Sequence, residues 1–250
     1  MKLVGATDIG LQRSENQDSY RAGHRSDGTA WGVVCDGMGG AKGGRLASSL
    51  ACAVMERVVE AGLERQNGAP SERTLLSGAL EQANRIVYEK ACGPPDLEGM
   101  GTTAVCVLVR SGMVYYAHVG DSRLYLYRNG RLHQLTKDHS MVQELVEQGR
   151  LTEEEAENHP RKNLITRAIG VGEELQPDFG VKEVSPRDIL LLCSDGLSNC
   201  AQVGEIEHIL AHSSFFDTAQ ALVMQALRGG GHDNITVLLI QIEGAEESNG

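Results

Sequence analysis

Four times in this chain a short apolar run meets an aspartate beside a glycine or a turn residue. Val33-Val34-Cys35 leads into Asp36-Gly37, His118-Val119-Gly120 into Asp121, and Leu191-Leu192-Cys193-Ser194 into Asp195-Gly196. Gly231-His232-Asp233-Asn234 stands at the opposite end of its run, just before Ile235. A single Asp-Gly pair is an ordinary turn. Repetition changes the inference, because strands that share one core can bring their terminal carboxylates to one edge. Clustered carboxylates repel, and burying them is costly unless something neutralises them. Too few Lys or Arg stand nearby in the sequence to do so, whereas divalent cations would. Oxygen-only ligands suit hard octahedral ions such as Mg²⁺ or Mn²⁺. Zinc fits less well without Cys or His partners.

The runs that carry these aspartates read as strands, being short, apolar and bounded by turn residues. Strands are expected over Trp31 to Cys35, Thr102 to Val109, Met113 to Val119, Arg123 to Tyr127, Arg131 to Leu135, Ile189 to Cys193 and Ile235 to Ile242. Asn129-Gly130 is a strong hairpin signal between two of them. The opening Met1-Lys2-Leu3-Val4-Gly5 is an apolar segment running to Thr7-Asp8. Helical spacing covers Gly44 to Glu64, with Leu46, Leu50, Val54, Val58 and Leu63 roughly on one face. A second helix follows Ser71 as N-cap and carries Leu75, Ala79, Leu80, Ala83, Ile86 and Val87. Thr152 and Glu155 form a capping box, and Asp217 is read as the N-cap of a helix ending at Gly229. Two central helices among many strands predict an α/β (α+β) chain, a two-layer β core with helices outside. The polar stretch from about 139 to 180 reads as a mobile flap beside the site.

The chain has 250 residues, 41% of them hydrophobic, enough for one sizeable core. Its formal net charge of −11 argues against nucleic acid and against an anionic membrane surface. No apolar run reaches the length of a membrane span, and the N-terminus does not read as a signal peptide, so a cytoplasmic protein is expected. Six cysteines form no Cys-x-x-Cys pair; Cys35, Cys106 and Cys193 lie in apolar runs and read as small core residues. The eight histidines show no metal-ligand spacing, and His118 reads as structural. Ser194 lacks the Gly-x-Ser-x-Gly context of a hydrolase nucleophile, and Gly37 to Gly44 lacks the Gly-Lys-Ser/Thr of a phosphate-binding loop.

Seven motifs in order then tie these residues together. They are Arg13-Ser-Glu-Asn16-Gln-Asp18, Asp36-Gly37-Met38-Gly39-Gly40, Gly101-Thr102-Thr103, Ala117-His118-Val119-Gly120-Asp121-Ser122-Arg123, Thr136-Lys-Asp138-His139-Ser140, Leu192-Cys-Ser194-Asp195-Gly196-Leu197 and Asp233-Asn234-Ile-Thr236. In them the chain resembles the bacterial branch of the PPM (PP2C-type) serine/threonine phosphatases, from Thr7 to Ile242. The resemblance implies a single domain over 1–243, a central β-sandwich of mainly antiparallel strands with helices on both faces (four layers), and a short polar tail over 244–250. It implies two Mn²⁺ or Mg²⁺ ions, with a third, weaker one possible. Asp36 would bridge the first two, the carbonyl of Gly37 would complete the coordination of the second metal, and Asp195 and Asp233 would bind the first. Asp18 would act through bound water, and Asp121 with Asp195 would hold the third ion. Arg13 would grip the substrate phosphate, which suits its planar fork. A hydroxide made at neutral pH between the cations would attack phosphorus directly.

Phosphorylated proteins are the partners this implies, with Hanks-type Ser/Thr kinases as the opposing enzymes and a monomer as the working form. Two alternatives stand beside this reading: a non-catalytic regulatory module on the same fold that binds a partner protein, and a hydrolase of small phosphoesters or nucleotides. Retention of Asp36, Asp195 and Asp233 argues against the first. Bacterial relatives often carry a His and a Glu where this chain has Ala41 and Arg45. The proton for the leaving group therefore has two candidate sources, a water on the third metal or His139.

Overall fold

The computed structural model describes residues 1–65, 68 and 70–244, and for 40–42 the backbone alone. The tail expected over 244–250 lies, past Gly244, outside the described residues, as does the side chain of Ala41. Strands run over Lys2–Asp8 (β1), Asp18–His24 (β2), Ala30–Met38 (β3), Gly101–Thr102 (β4), Ala104–Arg110 (β5), Met113–Val119 (β6), Arg123–Arg128 (β7), Arg131–Gln134 (β8), Asp178–Glu183 (β9), Ile189–Cys193 (β10) and Ile235–Gln241 (β11). Helices run over Gly40–Leu63 (α1), Glu72–Ala91 (α2), Met141–Glu147 (α3), Glu153–Glu157 (α4), Asp195–Ser198 (α5), Val203–His212 (α6) and Phe215–Arg228 (α7).

The strands form two antiparallel sheets. One has the order β1-β11-β10-β7-β8, the other β2-β3-β5-β6-β9, with β4 on β3. Alternation decides which side chain faces which layer. Val34, Val105, Val107, Leu124, Leu190, Leu192, Leu238 and Ile240 fill the space between the sheets. The opposite faces are buried too: Val33, Cys35, Cys106 and Leu108 under α1 and α2, and Leu191, Cys193, Val237 and Leu239 under α6 and α7. Strands buried on both faces read as continuous apolar runs, which is why the central ones stand out in the sequence. The result is the four-layer α/β sandwich that the sequence predicts. Among the described residues, no helix is long and apolar enough to cross a membrane.

Several local expectations are corrected. The opening apolar segment is β1, paired along its length with β11. The run expected from Thr102 to Val109 breaks at Thr103, which leaves the ladder to bond Asp36. The expected flap ends earlier than 180, because Asp178–Glu183 is an edge strand on β6. Asp217 is not the cap of α7: Ser214 holds that position, and its hydroxyl donates to Asp217 at 2.5 Å inside the first turn. The inner face of α1 is also not the leucine stripe. Of the expected stripe Val54 is buried; it joins Ala47, Ala51, Cys52, Met55 and Val59 on the inner face, whereas Leu46, Leu50, Val58 and Leu63 are partly buried beside them. Small residues let the helix lie close to the sheet, and at Gly37 the approach is closest. A Cβ there would sit 2.1 Å from the carbonyl oxygen of Gly44 on α1.

Candidate metal centre

Sheet topology brings the aspartates together. Asp36 is near the end of β3, opposite Asp18 at the start of β2. Asp121 follows β6, Asp195 opens α5 directly after β10, and Asp233 precedes β11, which pairs with β10. Alternate strands run in opposite directions, so an end of one and a start of its neighbour share an edge. This is why Asp233, placed before its strand, meets Asp195, placed after its own.

Burial and mutual repulsion both act on these carboxylates. Burial pushes Asp18 up to about 7, with Asp195 and Asp233 adding to the rise and the Ser194 hydroxyl opposing it. Burial and the neighbouring Asp18 and Asp195 hold Asp36 well above the usual carboxylate range. Asp121 is pushed up to about 8 by burial and then Asp195, and Asp195 up to about 6 by burial and then Asp233. Asp18 Oδ1 and Asp195 Oδ1 are buried and lack a hydrogen-bond partner. Buried polar oxygens without partners are rare in folded proteins. Orphaned carboxylate oxygens within a repelling, all-oxygen cluster fit a hard divalent cation and little else.

Arg13 reaches the same edge. Its Nη2 donates to Asp233 Oδ2 at 2.6 Å, and this partner raises the guanidinium pKa further. The side chain is 54% exposed, open to solvent on its other faces. Gln12, beside it, bonds the ring of His232 at 2.6 Å. Arg45 lies outside the cluster, on the surface, with Nη1 3.2 Å from Glu15.

Two supporting residues escape a reading by sequence. Asn234 Nδ2 donates to the carbonyls of Ile9 and Glu15, and its Oδ1 accepts from the amide of Gln17. One side chain thus holds the loop that carries Arg13 and leads into Asp18. Thr103 bonds both backbone groups of Asp36: its amide donates to the Asp36 carbonyl at 2.8 Å, and its hydroxyl accepts the Asp36 amide at 3.0 Å. Both residues stand in quoted motifs, but nothing in a linear pattern says which backbone they will reach. Ser194 has a structural role of the same kind, with its buried hydroxyl donating to Asp18 Oδ2 at 2.7 Å.

His139 is placed differently from the aspartates. It is 5% exposed and stacks on His118 with ring centroids 4.5 Å apart. One ligand atom each from His118, His139 and Asp178 lie within 4.8 Å of one another, a grouping that sequence spacing could not reveal. Arg167 already stands there as the cation, with Nη1 3.1 Å from Asp178 Oδ1 and 3.3 Å from His139 Nε2. Concavity alone does not mark the chemistry. A groove of about 440 Å³ beside β1 and β2 and one of about 850 Å³ between α2 and residues 173–175 have none of the clustered aspartates among their lining residues.

Comparison with known proteins gives a consistent picture. The Protein phosphatase 2C family profile matches residues 11–234. Protein phosphatase PhpP of Streptococcus pneumoniae is 39% identical over 245 residues, covering 97% of this chain and 98% of the relative. Serine/threonine protein phosphatase PstP of Mycobacterium tuberculosis is 38% identical over 242 residues, and there the chain spans 45% of the relative's length. A crystal structure of the PstP catalytic domain in complex with two manganese ions matches with a TM-score of 0.86 at 37% identity, covering 97% of this chain and 98% of that one.

Proposed function

The chain belongs to the protein phosphatase 2C family, and from that premise we propose that it hydrolyses phosphoserine and phosphothreonine in proteins with two Mn²⁺ or Mg²⁺ ions. The observation that carries the metal requirement is the pair of buried, unpartnered oxygens on Asp18 and Asp195 inside a cluster of repelling carboxylates. Asp36, Asp195, Asp233 and the carbonyl of Gly37 would hold the two core ions, with Asp18 behind them and Asp121 beside Asp195 for a further one. When bound, such ions supply an acidified water at neutral pH and screen the charge on phosphorus.

The remaining work falls to the chain itself. Thr103 fixes the backbone of Asp36 from both sides, so the carboxylate is aimed before any ion arrives. Arg13, held at the rim by Asp233, presents its outer N–H groups to a phosphoryl oxygen. Both ring nitrogens of His139 lie against other groups, Gly120 on one side and Asp178 with Arg167 on the other. That favours Asp121 over His139 in the chemistry of the leaving group.

Six free cysteines suit a reducing compartment, so we place the activity in the cytoplasm, acting as a monomer on proteins phosphorylated by Ser/Thr kinases. The test is phosphate release from a phosphothreonine peptide in Mn²⁺ and in EDTA. Release confined to Mn²⁺ supports the proposal. Release that persists in EDTA overturns the metal requirement, and none under either condition overturns the activity.

A further inference from the structure

His139 is buried between the Gly120–Asp121 turn and the Arg167–Asp178 ion pair. Three features of its surroundings act together. First, the backbone N–H of Gly120 donates to His139 Nδ1 at 3.2 Å, and the backbone N–H of His139 donates to the Gly120 carbonyl at 3.0 Å. Second, His139 Nε2 lies 3.3 Å from Asp178 Oδ2, whose other oxygen accepts from Arg167 Nη1 at 3.1 Å. Third, the His139 carbonyl accepts from the amide of Thr166, the residue before Arg167.

These contacts decide the tautomer. Neutral imidazole carries one N–H. Nδ1 must offer its lone pair to Gly120, so the proton is on Nε2 and points to Asp178; Arg167 Nη1, 3.3 Å from Nε2, then spends its two N–H groups on Asp178 Oδ1 and the Gln176 carbonyl. Burial lowers the pKa of His139, with Arg167 adding to the effect, which is consistent with a neutral ring. This tautomer also argues against a cation between His118, His139 and Asp178. Nε2 has no lone pair to give, and the Arg167 guanidinium already supplies the positive charge.

Gly120 sits at φ +101° with Thr103 packed against it, so a Cβ there would come within 2.6 Å of the Thr103 side chain. Thr103 in turn holds Asp36 and shares a 2.6 Å hydroxyl contact with Ser122. Gly120 is thus the backbone hinge between Asp121 and the support of Asp36. We propose that His139 is a positioning residue for this hinge. Its ring passes the position of Arg167, within the 139–177 segment, and of Asp178, at the start of β9, to the Gly120–Asp121 turn. The hold on that segment then governs how firmly Asp121 is presented to a cation. The inference rests on the metal-site reading above.

Two substitutions separate the halves of the relay. His139→Asn places an oxygen near Nδ1, so it keeps an acceptor for Gly120 and loses the link to Asp178. His139→Gln places an NH₂ near Nε2, so it keeps a donor for Asp178 and loses the acceptor for Gly120. Amide hydrogen exchange at Gly120 and Asp121 in metal-free protein should quicken about tenfold in His139→Gln and stay near wild type in His139→Asn. The Mn²⁺ concentration for half-maximal binding, read by calorimetry at the weakest site, should rise in the first variant more than in the second. Imidazole ¹⁵N shifts of the wild type should show the Nε2–H tautomer, a reading that requires no variant to fold. An Nδ1–H tautomer, or equal exchange in the two variants, overturns the proposal. Exchange and tautomer are measured without substrate or metal. A chain that dephosphorylates nothing would sink the phosphatase reading and leave this result standing.

Discussion

Two sets of buried and half-buried aspartates lie on this sandwich, and they are handled in opposite ways. Asp138 and Asp188 each meet an arginine edge-on. Arg123 Nε and Nη2 grip Asp138, and Arg128 Nε and Nη2 grip Asp188, which also accepts the amide of Ser185. Nearly every lone pair there is used. Asp18, Asp36, Asp121, Asp195 and Asp233 gather at one edge, and among the described residues only Asp233 has a salt-bridge partner. A bidentate arginine is a fixed, permanent counter-charge. Where the fold needs a carboxylate for structure, it builds that counter-charge in. Where it leaves carboxylates facing one another, it holds a place for an exchangeable one.

The sharpest way to break this contrast is to neutralise one member of each set. Asp36→Asn should lower turnover of a phosphothreonine peptide by about a thousandfold or more, since a main electrostatic element of the transition state is lost. The same change should raise the melting temperature of the metal-free protein, because it removes a repelling charge. Near-full activity, or a metal-free protein that melts lower, would place Asp36 in the other set.

Metal should act as a folding ligand only for the unpaired cluster. At a Mn²⁺ concentration near 100 times Kd, mass action adds about 2.7 kcal/mol of stability. The gap between melting curves in Mn²⁺ and EDTA should widen with pH, and the sign can be worked out. Asp195, Asp18 and Asp121 have folded-state values raised to about 6, 7 and 8. The metal-free fold therefore holds protons that the unfolded chain releases, and it loses stability as pH rises towards 8. His118, buried neutral with its value lowered to about 4, works the other way, but only below about 6.5. Between about pH 6.5 and 8 the carboxylates dominate. A gap that stays constant or narrows over that window would contradict the cluster as a cation cage.

Arg13 belongs to both sets in part, being a salt-bridge partner that also faces solvent. Arg13→Ala should slow phosphopeptide turnover about tenfold, as expected for a lost charged hydrogen bond, while calorimetry finds Mn²⁺ affinity nearly unchanged. A collapse in metal binding would make it a structural partner of Asp233 alone. The smallest effect is expected in the paired set. Asp188→Asn keeps the shape but weakens the grip of Arg128, a side chain 30% exposed and able to rehydrate. A cost of about 1 kcal/mol, hence a fall of about 2–4 °C in Tm, should come with unchanged activity.

The sequence reveals the unpaired set better than the paired one, and the reason is physical. Asp36, Asp121, Asp195 and Asp233 are visible because each is attached to a strand buried on both faces, and such strands read as solid apolar runs. The partners of Asp138 and Asp188 are 15 and 60 residues away along the chain, and nothing local announces them. Edge strands are hidden for a similar reason. β9 is mostly exposed, so Asp178–Glu183 carries too little apolar pattern to separate it from the flap. The relay through His139 joins residues 120, 139, 167 and 178; Gly120 and His139 stand in motifs, but nothing local says that they meet each other or Asp178. The face of α1 is hard to read because leucines dominate any helical count, whereas the sheet takes the small residues Ala47, Ala51 and Cys52, which let the backbone approach.

The pairing of β1 with β11 also sets an order of events in time. Thr7 and Thr236 share a hydroxyl contact across 229 positions, and the amide of Gln17 is received by Asn234 across 217. Loops of that size close slowly, since their entropy must be lost before the contacts repay it. During synthesis, the loop bearing Arg13 and Asp18 must wait for nearly the whole chain before its anchor exists. Cation capture then belongs to the last stage of folding, and its rate during refolding becomes a clock for closure of the two ends.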